Sequence, residues 1–302
     1  MTELIGNTPL LRLRRLTAHL PDAIEVYVKA EWFNPGGSVK DRAAYGIVSD
    51  ALERGVLKSG GILLDASSGN TGIAYAMLAA ALGFKLELCI PKNANHERKR
   101  TLRAYGAELI FTDPNDGSDG AIVEARRRVA ENPERYYYAD QYNNDANWRA
   151  HYKTTGPEIH RQTQGRVTHV VSGLGTSGTA MGLARYLREH LPAAQLVAFQ
   201  PDSPFHGLEG MKHMETAIVP GIYDDSLPHQ NREVVTEAAH AMARRLGRRE
   251  GLLVGVSAAA AISLAIQLAD EEAEAGRAAV IVAMGCDGGD RYLSDHFWDD
   301  EE

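Results

Sequence analysis

The chain has 302 residues, 44% of them hydrophobic and 24% charged, the balance of an ordinary globular protein long enough for two lobes. Its formal net charge of -8, much of it in the closing WDDEE, argues against a nucleic-acid binder, which needs clustered Lys and Arg for phosphates. No run reaches the roughly 18 consecutive apolar residues of a membrane span, and MTELIGNTPLL lacks the charged-then-apolar pattern of a secretory signal. Cys89 and Cys286 sit in apolar runs with neither disulfide nor metal-ligand spacing, so a cytoplasmic protein without membrane partners is expected.

In chain order, the first predicted strand is EVYVKA, 25–30. NPGGSVKDR (34–42) follows and leads into a helix over 40–54, which places Lys40 in the first helical turn. A cation there opposes the helix dipole at a cost of a few tenths to about 1 kcal/mol. Either Lys40 is a solvated surface residue, or its amine is not a free ammonium. GILLDA (61–66) reads as a strand, SSGNTG (67–72) as a loop, 71–82 as a helix and KLELCI (85–90) as a strand. The helix over 96–105 carries the basic run ERKRTLR, read as an exposed face; ELIF (108–111) and a helix over 120–131 come next. The polar stretch NPERYYYADQYNNDANW, 132–148, reads as a passage between two lobes. Beyond it lie strands 167–172 and 195–200 around a helix at 178–190, then an aperiodic segment, 201–231, expected to face substrate. Helices over 235–248 and 257–270 and a strand AAVIVA (278–283) complete the pattern. Strands alternating with helices of this length predict an α/β fold of doubly wound sheets in two lobes, with a ligand cleft where strand ends converge.

Three loops each follow a strand and precede a helix: SSGNTG, GLGTSGT (173–179) and MGCDGGD (284–290). All belong at the carboxyl edge of the strands, where ligands bind. Small residues in 173–179 let backbone amides approach a phosphate, with Thr176, Ser177 and Thr179 as extra donors. The loop also matches G-x-G-x-x-G at Gly173, Gly175 and Gly178, with Asp202 downstream. A nicotinamide dinucleotide, another phosphate ligand and a plain turn all stay open on that motif alone. Ser67, Ser68, Asn70 and Thr71, ahead of a helix, suit a carboxylate or are simple helix caps. A pyridoxal phosphate would explain Lys40, since its aldehyde condenses with an amine and its phosphate suits the glycine loop.

Over nearly its whole length the sequence resembles the pyridoxal-phosphate cysteine synthases, the B-type isoform in particular. The motifs that carry the likeness are IGNTPLLRL (5–13), NPGGSVKDRAA (34–44), SSGNTGIA (67–74), ERKRTLRAYGAELI (97–110), QYNNDANWRAHYKTTGPEI (141–159), GLGTSGT, GVSAAAA (255–261) and CDGGDRYLS (286–294). The resemblance implies a fold type II, tryptophan synthase β-like architecture, with 1–36 and 148–302 as a larger cofactor lobe and 37–147 as a smaller mobile lobe. It implies that Lys40 forms the Schiff base and then serves as base at the substrate α-carbon, and that Asn70 meets the cofactor's 3′ oxygen. Gly175, Thr176, Ser177, Gly178 and Thr179 would hold the phosphate, and Ser257 the pyridine nitrogen. Ser67, Ser68, Thr71 and Gln141 would bind the substrate carboxylate. The implied reaction is transfer by β-replacement: an O-activated serine, typically O-acetylserine, loses its leaving group to give an aminoacrylate, and sulfide or another reduced sulfur donor adds to make cysteine. A homodimer is implied, with a serine acetyltransferase or sulfur carrier as candidate protein partners.

The departures from the family pattern raise their own expectations. GVSAA replaces the usual G-[IV]-S-[ST]-G, so Ala258 and Ala259 could alter backbone geometry beside Ser257. NNDAN replaces N-P-x-N near Gln141. GMKHM stands where B-type relatives carry GIRRW, which puts Lys212 at an arginine position facing the leaving group. Lys212 is either an anion ligand, favouring O-phosphoserine or thiosulfate, or an exposed lysine on a loop. Cys286 lines the cofactor site or is a buried structural thiol; His151, His206 and His213 have no metal spacing. Phe297 and Trp298 form an exposed pair unless they pack on something, and would cover the cleft or join a dimer contact. Cystathionine formation, serine dehydration, a cofactor-less binding paralogue and a nicotinamide oxidoreductase remain the competing functions.

Overall fold

The computed structural model describes residues 1–67 and 69–299. Two sheets organise them. The first has six strands in the order β1 (Leu10–Arg12), β2 (Ile24–Ala30), β10 (Ala279–Gly285), β7 (His169–Gly173), β8 (Gln195–Pro201) and β9 (Gln230–Val234). Only β1 runs antiparallel, against β2; the other pairings are parallel. The second sheet is wholly parallel, in the order β5 (Glu108–Thr112), β4 (Lys85–Pro91), β3 (Ile62–Ala66) and β6 (Tyr136–Tyr138).

Helices cover both faces of each sheet, as parallel strands require. On the six-stranded sheet, α9 (Val256–Glu274) packs on β2, β7 and β10 with α8 (Thr236–Glu250) outside it, while α7 (Gly178–His190) covers β7 and β8 from the other side. On the four-stranded sheet, α4 (Gly117–Glu131) covers one face and α2 (Asn70–Leu82) the other, flanked by α1 (Lys40–Glu53) and α3 (His96–Ala104). Helix α2 reads NTGIAYAMLAAAL, apolar on every side, because it is enclosed between the sheet and α1. The hydrophobic cores divide with the sheets: one is built wholly from residues 44–139, another wholly from residues before 30 and after 170.

The expected α/β class is what forms, and each predicted helix and strand is present within a few residues of its place. Five elements were not expected. β1 and β9 are short edge strands with half-polar patterns, which periodicity does not separate from loop. β6 lies inside the stretch read as a passage between lobes: Tyr136–Tyr138 pairs with β3, so that stretch closes an edge of the small sheet before leaving it. Helices α5 (Asp145–Lys153) and α6 (Thr155–Gln162) follow, split at Thr154. Pro157 is tolerated in α6 because it falls in the first turn, where a missing N–H breaks no helical bond. The segment 201–231 is irregular between its first residue, which ends β8, and its last two, which enter β9.

Candidate active site

Each of the three predicted loops does follow a strand's carboxyl end: Ser67 after β3, Leu174 after β7 and Cys286 after β10. They meet around a cavity of about 270 Å³ lined by residues of both sheets' loops, including Lys40, Asn70, Gln141, Gly175 and Ser257.

Lys40 is the first residue of α1, and its position is held from below by a buried ionic cluster. Arg42, one half-turn on, donates to Glu31 and Glu158, at 2.7–2.9 Å, and to Thr8 at 3.1 Å. Lys29 in β2 donates to Glu158, to Gln162 and to the Thr8 carbonyl at 2.7–2.9 Å. Two cations and two carboxylates are thus buried as a balanced set, which avoids the several kcal/mol that an unmatched buried charge would cost. Burial works against ionising Glu158, yet Arg42 and Lys29 hold its carboxyl at about 2. Ahead of Lys40, Gly37 has φ 78°, and a side chain there would meet the Arg291 guanidinium. The NPGG turn is also tied to the neighbouring loop, because the Val39 N–H donates to the Cys286 carbonyl at 2.8 Å. The Lys40 amine itself has no hydrogen bond or ion pair among the described residues. The lysine that looked misplaced at a helix start is therefore neither a solvated surface residue nor a partner in an ion pair.

The glycine loop combines a left-handed cap residue with buried polar atoms and close backbone packing. Ser177 caps α7 in the left-handed conformation, φ 68°, which costs a non-glycine residue about 1 kcal/mol. Its hydroxyl is buried with no partner among the described residues, as is Asn147 Oδ1 behind it. A side chain at Gly175 would collide with the Gly210 carbonyl. Gly175 and Thr176 face the cavity; Thr176 accepts from Asn147 Nδ2 at 3.1 Å, and Thr179 meets His151 Nε2 at 3.3 Å. Burial, with Arg42 and Lys40 nearby, holds His151 well below the usual histidine range, so it is neutral.

Opposite, α2 begins at Asn70 with Gly69 as a cap that offers no side chain; the Ser67 hydroxyl does part of that work by accepting from the Gly72 N–H at 3.0 Å. Ser67, Thr71 and Gln141 border the same cavity. Gln141 is fixed by donating to the Ala66 carbonyl at 2.9 Å, and its backbone N–H points to Asp65 at 3.4 Å. Burial pushes the Asp65 carboxyl up to about 7. Ser68 lies outside the described residues. Asn70 donates to Asp287 at 2.7 Å and accepts from Arg291, and Tyr292 donates to the same Asp287 oxygen at 2.6 Å. Ser257 stands in the first turn of α9. Ala258 and Ala259 are fully buried residues in the first turns of α9, and the helix runs through both without a break. Cys286 borders the cavity beside Ser257, and burial pushes its thiol up to about 11.

Several cavity residues escaped the sequence reading. Arg98, in the run taken for an exposed face, is buried: it lies one turn before Leu102 on the inward side of α3. Both its terminal nitrogens reach Glu209, one at 2.6 Å, and its guanidinium lies 5.5 Å from the Tyr292 ring. Lys212 is only 7% exposed, which removes the reading of an exposed loop lysine; its amine pairs with Asp119 at 2.9 Å and lies 5.2 Å from the Tyr142 ring. Phe297 and Trp298 are not an exposed pair either. Phe297 stacks on His240 of α8 at 4.2 Å, and the Trp298 indole donates to the Tyr292 carbonyl at 2.8 Å. No group of His, Cys, Asp and Glu able to hold a metal occurs among the described residues.

An unpaired amine and a glycine loop with an unpartnered hydroxyl, bordering one cavity between two sheets, suit an enzyme that binds a phosphorylated aldehyde. The chain belongs to the pyridoxal-phosphate-dependent enzyme family, whose model matches residues 1–287. It is 48% identical over 301 residues to the cysteine synthase of Aquifex aeolicus, covering 99% of this chain and 92% of that one. Against cysteine synthase B of Escherichia coli it is 42% identical over 295 residues, covering 97% and 94%. The crystal structure of a cysteine synthase from Entamoeba histolytica superposes with a TM-score of 0.93 at 34% identity, covering 100% of this chain and 90% of that one. This membership displaces the dinucleotide reading of the glycine loop.

Proposed function

We propose that this enzyme is a cysteine synthase, a transferase that replaces the acetate of O-acetylserine with sulfide. The observation that carries the reading is the convergence of the unpaired Lys40 amine, the N-terminal end of α2 and the glycine loop on one cavity. Bound pyridoxal phosphate supplies an aldehyde for amines and a conjugated ring that takes up the electron pair left when the substrate α-carbon loses its proton.

The chain's residues do the rest. Gly175, Thr176, Ser177, Gly178 and Thr179 would hold the phosphate, and the unpartnered Ser177 hydroxyl supports that role. Ser257, which lines the cavity, would meet the ring nitrogen with a neutral hydroxyl rather than a carboxylate. Asn70 has one amide hydrogen left after donating to Asp287, and would give it to the ring oxygen. Ser67, Ser68, Thr71 and Gln141 take the α-carboxylate, assisted by the α2 dipole. Lys40 removes the α-proton; the bond from the β-carbon to acetate oxygen breaks, hydrosulfide forms the new carbon–sulfur bond, and Lys40 returns the proton. Acetate leaves before sulfide enters, so the kinetics are ping-pong. Residues 37–147 form the lobe that moves onto the substrate and shuts out water, and 1–36 with 148–302 form the cofactor lobe; the separate sheets and cores support that division.

Two free cysteines, and no helix among the described residues long and apolar enough to cross a membrane, support a cytoplasmic site of action. The homodimer, and docking of a serine acetyltransferase or sulfur carrier, rest on the family resemblance alone.

The test is spectroscopic and kinetic. Cofactor-loaded protein should change its visible absorbance on adding O-acetylserine, revert on adding sulfide, and release cysteine. Lys40→Ala should lower turnover by about 10³-fold or more while retaining bound cofactor less tightly. Release of pyruvate in place of cysteine would overturn the reading.

A further inference from the structure

Resting on that reading, we propose that Asp119 determines donor specificity: it neutralises Lys212 and so fits the cleft to a serine whose leaving group carries no charge. Lys212 borders the cavity, and its backbone N–H is anchored to the Leu174 carbonyl at 2.8 Å, next to the glycine loop. A buried ammonium there is the feature that would attract a phosphate ester or thiosulfate. It is already taken. Asp119 Oδ1 accepts from it at 2.9 Å, and the second oxygen accepts from the Ile218 N–H at 3.1 Å, so the carboxylate is held on both sides. Asp119 also sits in the first turn of α4, where the helix dipole favours a negative charge.

Arg98, the other cation on this wall, is matched in the same way by Glu209, which borders the cavity with it. An incoming phosphate ester would have to displace a carboxylate from its cation and then remain beside that carboxylate. An acetyl ester meets no such opposition, and hydrosulfide is small and singly charged. The pairing therefore selects for O-acetylserine with sulfide and against O-phosphoserine and thiosulfate.

The experiment compares the cofactor-loaded wild type with Asp119→Asn, Asp119→Ser and the double variant Asp119→Asn/Lys212→Gln. Asparagine keeps the acceptor for Ile218 and the side-chain size; serine removes the charge independently. Inorganic phosphate is titrated by calorimetry, a readout that needs no turnover, and kcat/KM is measured for O-acetylserine and O-phosphoserine. Both single variants should bind phosphate about tenfold more tightly than wild type, and the double variant should lose that gain. The kcat/KM ratio of O-phosphoserine to O-acetylserine should rise with it. Equal phosphate affinity in wild type and both single variants, or a gain that survives in the double variant, overturns the proposal. If the phosphate series behaves as expected while the wild type gives no response to O-acetylserine, the charge pairing stands and the cysteine synthase reading fails.

Discussion

Asp65 shows how much of this site depends on a single buried proton. In the unfolded chain its carboxyl ionises near the ordinary 3.8; in the folded chain burial holds it protonated up to about 7. A raised carboxyl stabilises the fold fully below about pH 4, loses that contribution as pH rises, and has none left above about 7. Asp65→Asn cannot ionise, so the stability of wild type relative to this variant should fall by on the order of a few kcal/mol between pH 4 and 8, read from denaturant midpoints. A flat difference would mean that the carboxylate is stabilised by more than its two backbone donors. Little of this could be read from LLDASSGN, where aspartate looks like the polar end of a strand. Lys40 was legible, because a cation at a helix start after two glycines breaks a local rule. Lys212 was legible as a position but not as a state, since its partner lies 93 residues away. Arg98 was misread because charge alone suggested exposure, although its spacing from Leu102 placed it inward.

The elements that position the site were mostly visible in the periodicity; those that were missed are short or split. β6 carries three half-buried tyrosines, and its strand character comes from pairing with β3, a contact made across more than seventy residues of intervening chain. α5 and α6 were hidden because NNDANWRAHYKTTGPEI mixes helix formers with a break at Thr154 and a proline that matters only if the register is known. Helix α9 presents the reverse case. Its AAAA run suits a helix laid flat on β2, β7 and β10, and the two alanines that depart from the family pattern are fully buried there. Ala259→Gly should therefore destabilise the protein by about 1 kcal/mol or somewhat more, from helix propensity and lost packing, measured as a lowered denaturation midpoint. A stabilised variant would show that alanine is strained at this position.

Across the molecule, charged pairs join what the two sheets carry. Arg98 and Asp119 belong to helices on the small sheet, while Glu209 and Lys212 come from the irregular segment after β8. The two sides of each pair are unequal: the Arg98 side chain is 7% exposed and that of Glu209 46%. Glu209→Gln leaves a buried guanidinium without its counter-charge; Arg98→Met leaves a half-exposed carboxylate that water can solvate. The glutamine variant should lose more stability than the methionine variant, by roughly 1–3 kcal/mol in denaturant unfolding, and the reverse order would place the cost in packing rather than charge.

The chemistry of those joins also sets how the cleft responds to its surroundings. Apolar contacts between the two sheets' elements would lack direct screening by dissolved ions. Here the carboxylate of each pair stands partly in solvent, at 46% for Glu209 and 33% for Asp119, within reach of the mobile ion cloud that extends about 8 Å at physiological salt. Ambient electrolyte thus becomes a thermodynamic variable of the contact between what the two sheets carry, acting without making or breaking any covalent bond.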